Sequence, residues 1–195
     1  KKLSKDELSY HYSMLITYCI LRNSFSDNKS FYDNELFGIY NTFLKDKLFS
    51  DKKTKYIEDN LFRNILVLSL RLKKFQWTFD FISRYSKFLH PDRRNNILNF
   101  SMAEYYYHSG SACKSVKDLN RAFEHLTEIK EESFIIKYDI RILYLMIYYD
   151  LGYIDNLLSQ LKNYRLFLCR NYLITREKKK KLNCFLNILE KLVYL

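Results

Sequence analysis

IYYDLGYIDNLLSQL, residues 147–161, joins an aromatic, apolar segment to an amphipathic one through a single glycine, Gly152. On both sides the apolar residues recur at steps of three and four, which is the spacing of an amphipathic helix. A chain that reverses direction between two helices favours glycine, because glycine adopts left-handed backbone angles at low cost. The stretch therefore predicts two antiparallel helices joined by a tight turn at Gly152.

The composition extends this prediction to the whole chain of 195 residues. Apolar residues make up 48% of it, which is enough for a core, whereas there are three glycines and one proline. Folds rich in strands or in βα crossovers need turn residues far more often, so this scarcity predicts an all-α protein. We expect about nine helices in a single domain over residues 1–195, with short connections that place neighbours antiparallel.

Apolar periodicity and capping signals give the approximate bounds of these helices. Ser4 and Glu7 form a capping box at the start of the first helix. The triplet His90-Pro91-Asp92 is interpreted as a helix stop, with Asp92 as the cap of the fifth helix. J-domain co-chaperones use the same triplet, but the rest of their pattern is absent from this chain. The later helices are predicted over about 57–72, 75–89, 92–110, 115–129, 136–152 and 154–168, and from 175 onward.

A second segment, AEYYYHSG at residues 103–110, matches the first in kind. It is rich in tyrosine, ends in Gly110 and precedes another amphipathic helix, and Gly110 lies 42 residues before Gly152. LSLRLKKFQWTFDFI, residues 68–82, has the same shape with Lys74 or a neighbour in the turn. The sequence thus predicts about four hairpins and a final helix, in which Gly110 and Gly152 mark equivalent turns.

At these residues the chain resembles the tetratricopeptide repeat family, in degenerate form and over about residues 60–170. The family's pattern has an aromatic residue, then Leu-Gly, then a small residue in the second helix. One copy here matches it with Tyr148, Leu151 and Gly152, and another matches it with Tyr106, Gly110 and Ala122. The resemblance implies an α-solenoid of antiparallel hairpins, in which the first helix of each hairpin lines a concave groove. The chain is also similar to Tyr- and Lys-rich bacterial proteins built from such hairpins, a similarity that implies no activity.

The resemblance further implies that five residues face this groove, namely Glu104, Tyr107, Met146, Tyr149 and Tyr153. Tyrosine suits a protein interface because it buries a ring and keeps a polar tip. The other interpretation is that these side chains fill contacts between successive helices, and a position on a predicted helix does not separate the two. If they face the groove, the chain is a non-catalytic protein–protein interaction scaffold that binds a peptide or a helix of a partner.

The charge of the chain supports an alternative function. The formal net charge is +11, and the sharpest basic cluster is REKKKK at residues 176–181. An anion-binding face there would make the chain a basic helical-repeat protein that binds nucleic acid. The other interpretation is a solvated face of the last helix. The basic face comprises Arg165, Arg170, Arg176, Lys178, Lys179, Lys180 and Lys181.

No pattern typical of catalysis occurs in the sequence. It lacks a His-Glu-x-x-His or Cys-x-x-Cys spacing and a glycine-rich phosphate loop, so we expect no enzyme, no metal and no cofactor. No apolar run approaches the ~20 residues that span a bilayer. The four cysteines are predicted to be buried free thiols, which favours a cytoplasmic location. Since the chain starts at Lys1 rather than Met, we expect a fragment or a processed chain. Whether a targeting signal or a fused module precedes it is left open.

Overall fold

The computed structural model describes residues 3–50, 55–130 and 136–194. This part of the chain is helical and contains no strand, so the prediction of an all-α protein with about nine helices is confirmed for it. A short 3₁₀ helix, Ser86–Phe88, follows the fourth helix. The α-helices in chain order are α1 (Lys5–Phe25), α2 (Lys29–Lys45), α3 (Asp59–Arg71), α4 (Phe75–Tyr85), α5 (Pro91–Cys113), α6 (Val116–Thr127), α7 (Lys137–Asp150), α8 (Ile154–Arg170) and α9 (Arg176–Val193).

Capping residues explain where several helices begin. The Ser4 hydroxyl accepts a hydrogen bond from the Glu7 N–H at 3.3 Å, and the Glu7 carboxylate accepts one from the Ser4 N–H at 2.7 Å, which confirms the capping box. The start of α5 differs from the prediction, because Pro91 is its first helical residue and Asp92 lies inside the first turn. Proline suits this first position, since its fixed φ is helical and an N–H there would have no partner in the helix.

The chain divides into two compact units, Lys1–Tyr105 and Tyr106–Leu195, with the boundary inside α5. In the first unit α1 packs against α2, α2 against α3, and α3 against α4. Aromatic rings pack against one another in this unit: the centroids of Phe62 and Phe81 lie 4.6 Å apart, and Trp77 stacks on Phe81 at 5.4 Å. The prediction of one domain over residues 1–195 stays a prediction.

In the second unit α6 packs against α7, α7 against α8, and α8 against α9. Apolar stripes at helical spacing supply a continuous core, as the periodicity predicted. Tyr164 lies at its centre, fully buried, and burial raises the pKa of its hydroxyl well above the usual range. The other buried members are Tyr138, Leu145, Leu157, Leu161, Leu168, Ile174, Leu186 and Leu189.

Three hairpins, α3–α4, α5–α6 and α7–α8, share one turn. In each, a single residue just after the first helix has a positive φ, and the next helix begins two residues later. These residues are Lys73 (φ 55°), Lys114 (φ 52°) and Gly152 (φ 72°). The turn predicted at Gly152 is confirmed, and Lys73 is the neighbour of Lys74 that forms the first turn.

The three turns also have the same pattern of backbone hydrogen bonds. The residue after the left-handed one donates its N–H to the carbonyl five residues back, which is the Schellman motif. The left-handed residue itself donates to the carbonyl three residues back. The five-residue bonds run from Lys74 to Ser69 (2.9 Å), from Ser115 to Gly110 (2.8 Å) and from Tyr153 to Tyr148 (2.9 Å). The three turns are therefore structurally equivalent, whatever residue occupies the left-handed position.

Gly110 is not a turn residue, so the predicted end of the fifth helix was wrong. It lies inside α5, and the left-handed residue of that hairpin is Lys114. A Cβ on Gly110 would lie 2.8 Å from the Cβ of Asp118 in α6 and 3.2 Å from the backbone nitrogen of Leu119. Glycine is required there because two helices approach closely, not because the backbone is left-handed. The equivalent turn residues are Lys114 and Gly152, which are 38 residues apart.

The cysteines depart from the prediction of buried thiols. Cys19 is buried, whereas Cys113, Cys169 and Cys184 are exposed. Cys113 is the last residue of α5 and precedes the left-handed Lys114, so it lies at the tip of a hairpin, where solvent reaches it. Free thiols at three accessible positions can therefore be replaced without disturbing the core.

Candidate interaction site

The first helix carries apolar side chains on two opposite faces. Its inner face, which includes Leu8, Tyr12 and Cys19, lies against α2. Its other face carries what we name the outer stripe: Tyr10, Met14, Tyr18, Leu21 and Phe25. These five residues are spaced by four, four, three and four positions, so they line one side of a helix. In an ordinary surface helix the side away from the core is polar.

The outer stripe is exposed to solvent. The exposed fractions, in chain order, are 63%, 56%, 55%, 55% and 87%. At roughly 200 Å² for each fully exposed large side chain, the stripe presents about 600 Å² of mostly apolar surface. Soluble monomers rarely expose a larger contiguous apolar patch, and patches of this size are often functional. The outer stripe is therefore the strongest candidate for an interaction site in the described part of the chain.

This site was not predicted from the sequence, because apolar periodicity assigns a single apolar face to each helix. The signal was available, since Tyr10, Met14 and Tyr18 recur every four residues on the side of α1 opposite Tyr12 and Cys19. A helix that is apolar on both sides is normally covered on both. The second apolar face of α1 could thus have been found by testing each helix for a second apolar stripe.

Three contacts distributed along α1 fix its inner face against α2 and the segment that follows it. Near the start, the Ser9 hydroxyl donates a hydrogen bond of 2.8 Å to the Leu48 carbonyl. In the middle, the rings of Tyr12 and Phe43 lie 6.4 Å apart. Near the end, the Asn23 amide of α1 donates a hydrogen bond to the Asp33 carboxylate of α2. The outer stripe is consequently held on a helix of fixed orientation.

Asp33 links three helices of the first unit. Its buried carboxylate accepts a hydrogen bond from the Asn23 amide of α1 at 2.5 Å and from the Arg71 guanidinium of α3 at 2.6 Å. A buried charge is tolerated when it is paired and hydrogen-bonded. The cluster of Asn23, Asp33 and Arg71 therefore orients α1 relative to α2 and α3 and so positions the C-terminal end of the outer stripe.

A second buried carboxylate belongs to Asp59, the first residue of α3. Arg93 at the start of α5 lies 2.9 Å from its Oδ2 atom. Burial raises the pKa of the Asp59 carboxyl, and the positive charge of Arg93 opposes that rise. His90 packs its ring on Tyr56 with centroids 5.0 Å apart. The residues around the His-Pro-Asp triplet thus join α5 to α3, which agrees with the structural interpretation of that triplet.

The five residues predicted for a groove differ in accessibility. Glu104 and Tyr107 are 9% and 7% exposed, and Met146 is half-buried. Tyr149 and Tyr153 are 38% and 46% exposed. Only the last two therefore offer a large accessible aromatic surface.

The corrected turn alignment explains why Tyr107 and Tyr149 differ. With Lys114 and Gly152 equivalent, Tyr107 corresponds to Leu145, and both side chains are buried. Aligning the two glycines instead shifts the comparison by four residues, or about 40° around the helix. The two tyrosines therefore do not occupy equivalent positions.

Four of the seven residues predicted for a basic face have partners within the second unit. Arg165 of α8 donates to both carboxylate oxygens of Glu190 in α9, at 3.0 and 2.8 Å, and this contact lowers the pKa of Glu190. Lys178 lies 4.5 Å from the centroid of the Tyr138 ring. The contacts of the other two are Lys179 with the Cys169 carbonyl and Lys181 with the Glu177 carboxylate.

The remaining members of that set, Arg170, Arg176 and Lys180, are exposed, and no charged partner is found for them among the described residues. The predicted basic face therefore has two parts. In one part, Arg165, Lys178 and Lys179 tie α9 to α7 and α8, and Lys181 pairs with Glu177 within α9. The other part is three solvated cations that are free to meet an anion.

An open cleft of about 480 Å³ lies between α2 and α4 of the first unit. The Trp77 indole N–H donates to Asn41 Oδ1 at 2.9 Å on one wall, and Lys45 and Arg84 contribute positive charge. The tryptophan ring is stacked on Phe81 and its N–H is already paired, so Trp77 offers a ligand no free hydrogen-bond donor. It is a weaker candidate than the outer stripe.

Across the described ranges, no group of three His, Cys, Asp or Glu side chains is arranged to hold a metal ion. The same residues include no helix that combines the length and apolar character needed to span a bilayer. Comparisons of the chain with protein-family models, with curated proteins and with solved structures found no match. The surfaces of the chain are therefore what indicates its function.

Proposed function

We propose that this protein is a non-catalytic interaction scaffold, built of tetratricopeptide-like antiparallel hairpins, that binds a peptide or helix of another polypeptide chain. The observation that carries the proposal is the outer stripe of α1. A straight apolar stripe of this kind, about 22 Å long from Tyr10 to Phe25, matches the apolar face of a partner helix. Tyrosine, methionine and phenylalanine, which make up most of the stripe, are enriched where proteins associate.

The repeated turn supports the architectural part of the proposal. Three hairpins with the same Schellman turn are what an array of similar units requires, since each unit must reverse the chain in the same way. Of the five residues predicted for a concave face, Tyr149 and Tyr153 have exposed rings, and they are the members retained as a secondary contact surface.

Nucleic-acid binding is the alternative, and its supporting observation is the set of three solvated cations, Arg170, Arg176 and Lys180. If they contact phosphates, affinity for RNA or DNA should fall steeply as salt rises. Replacing all three by Gln should reduce the slope of log affinity against log salt by about two to three, since each phosphate contact contributes roughly 0.7–0.9. Filter binding across a salt series measures this slope, and an unchanged slope would exclude the cluster as a nucleic-acid interface.

The proposed function is tested with a photo-crosslinking residue at the centre of the outer stripe. p-Benzoylphenylalanine replaces Met14 in one variant and Ser13, which is exposed but lies about 100° around the helix, in a control. On irradiation in cell extract, we expect covalent adducts with other polypeptides at Met14 and few at Ser13. Adducts are resolved by gel electrophoresis and mass spectrometry.

Competition makes this experiment specific. Excess unlabelled wild-type protein should suppress the Met14 adducts, whereas excess Tyr10→Glu/Tyr18→Glu protein should not, because two carboxylates on the stripe oppose burial. Equal labelling at positions 13 and 14, or equal competition by both proteins, would contradict the assignment of the stripe as a binding surface.

A further inference from the structure

The first three residues of the outer stripe are symmetric about Met14. Tyr10 and Tyr18 lie four positions to either side of it. The stripe extends to Phe25 on one side, and Leu3, which is also exposed, lies the same distance from Met14 on the other. Reversing the direction of the helix about Met14 thus places tyrosine opposite tyrosine and Phe25 opposite Leu3, while Leu21 falls opposite the stem of Glu7. A twofold interface has this property, because each residue must fit the surface that its own copy presents.

We propose that the outer stripe of α1 pairs antiparallel with the same stripe of a second copy of this chain, with Met14 at the twofold axis. This inference rests on the proposed function and names its partner. Around the axis, Tyr10 of one copy lies level with Tyr18 of the other, and the two pairs of rings enclose the two Met14 side chains. Thioether–aromatic contacts of this kind are favourable.

Charges at the ends of α1 fit the antiparallel direction. Glu7 lies in the first turn of the helix and Arg22 in the last. Antiparallel pairing brings the two ends together, and helical spacing then places Glu7 of one copy on the same edge of the interface as Arg22 of the other. A parallel pair would instead bring like charges together at each end. Opposed helix dipoles favour the antiparallel direction as well.

The available area suits a dimer. A standard protein interface buries roughly 800 Å² on each partner. The stripe supplies about 600 Å² of this at roughly 200 Å² per large side chain. Leu3 and Leu15, which are exposed beside it, and the stems of Glu7 and Arg22 contribute the rim. A second copy therefore covers the second apolar face of α1 without any change to the inner face.

The first test is the mass of the purified full chain in solution, measured by sedimentation equilibrium over a range of concentrations. Wild type is expected to associate to twice its 23.9 kDa mass. Tyr10→Glu/Tyr18→Glu should raise the dissociation constant at least about a hundredfold, because four carboxylates would be buried in one dimer. The matched control is Tyr172→Glu, at a tyrosine that is 89% exposed in the second unit, and it should not change the dissociation constant. Circular dichroism verifies that each variant is folded.

The second test measures direction and register by a gain of signal. In a background in which Cys113, Cys169 and Cys184 are serine, Met14→Cys should crosslink to itself with a short bis-maleimide, whereas Ser13→Cys should not. Tyr10→Cys should crosslink poorly to itself but well to Tyr18→Cys when the two proteins are mixed. In the antiparallel register the two Tyr10 positions are offset by about 12 Å along the helices, whereas a parallel pair would place them side by side.

The outcomes separate this inference from the proposed function. A wild-type chain that stays monomeric at every soluble concentration, or a dimer unaffected by Tyr10→Glu/Tyr18→Glu, overturns self-pairing. Efficient self-crosslinking of Tyr10→Cys overturns the antiparallel direction. If the chain is monomeric while p-benzoylphenylalanine at Met14 captures other proteins in a competable manner, self-pairing fails and the scaffold function stands. Binding of the monomer to anionic lipid vesicles through the stripe would overturn both.

Discussion

The hairpins α5–α6 and α7–α8 of the second unit have the same turn but use glycine in different places. In α7–α8 the glycine is the left-handed residue, Gly152. In α5–α6 the left-handed residue is Lys114, and Gly110 lies one turn earlier, where α5 meets α6. The position in α7 that corresponds to Gly110 is occupied by Tyr148, whose ring packs on Phe123 at 5.7 Å. At this level α5 therefore meets α6 with no side chain between them, whereas α7 carries a ring that packs on α6.

The two hairpins therefore share the geometry of the turn and not the residue that forms it. A helix that ends in a Schellman motif needs one left-handed residue, and a lysine adopts that conformation when the hydrogen bonds and the packing of both helices outweigh its cost. Glycine at the crossing of two helices has a separate origin, the absence of a side chain. Two glycines in similar sequence surroundings can therefore perform different tasks.

The largest effect is expected from adding a single methyl group at the helix crossing. Gly110→Ala places a Cβ 2.8 Å from the Cβ of Asp118, so the two helices must separate. We expect the free energy of unfolding to fall by roughly 2–3 kcal/mol, as for an overpacked core, measured by urea denaturation.

The control for this change is Gly38→Ala. A Cβ on Gly38, which lies inside α2, meets no atom within 4 Å, so alanine should stabilise the helix by about 0.5–1 kcal/mol. Equal effects of the two substitutions would show that close packing at Gly110 does not matter.

An intermediate effect is expected at the turn itself. Gly152→Ala places a side chain on a residue with φ 72°, which costs about 1–2 kcal/mol in the left-handed region. No atom lies within 4 Å of the added Cβ, so the loss isolates the backbone term. A stability equal to that of the wild type in chemical denaturation would mean that the turn can change its conformation at no cost.

The smallest effect has the opposite sign. Lys114→Gly removes the strain of a left-handed lysine but adds flexibility to the unfolded chain, so a net stabilisation of about 0.5 kcal/mol is expected. Lys73→Gly in the α3–α4 turn should behave in the same way, since its φ of 55° is nearly the same. Thermal unfolding of both variants, compared with Gly152→Ala, tests whether the three turns are energetically equivalent. A destabilisation by both would contradict the strain assigned to the left-handed lysines, and effects of opposite sign would contradict the equivalence of the turns.

Much of the fold could be predicted from the sequence. The class, the number of helices and the turn at Gly152 follow from apolar periodicity and from the scarcity of glycine and proline. The end of α5 could not be predicted from Gly110, because a glycine after a tyrosine-rich helix is compatible with either a turn or a close contact. Choosing between them requires the position of Asp118, which lies on another helix.

The candidate site was harder to predict. The tyrosines at 107 and 149 look alike in sequence, yet one is buried and the other exposed. Tyr107 lies seven residues before the left-handed Lys114, whereas Tyr149 lies three residues before Gly152, in the last turn of its helix. The basic cluster looks uniform in sequence, but Arg165 reaches Glu190 and Lys178 reaches Tyr138 through helix packing. The outer stripe was present in the sequence as a second periodic face of α1, and only the arrangement of α1 on α2 showed which face is covered.

The amino-acid sequence by itself determined that this chain is helical and where most helices begin, because capping groups and residue spacing act within a few positions along the chain. Tertiary structure alone decided which glycine forms a turn, which cations are free and which face of α1 is left in solvent. These properties depend on residues that are distant in sequence, and a side chain's neighbours on another helix set its burial and its charge partners.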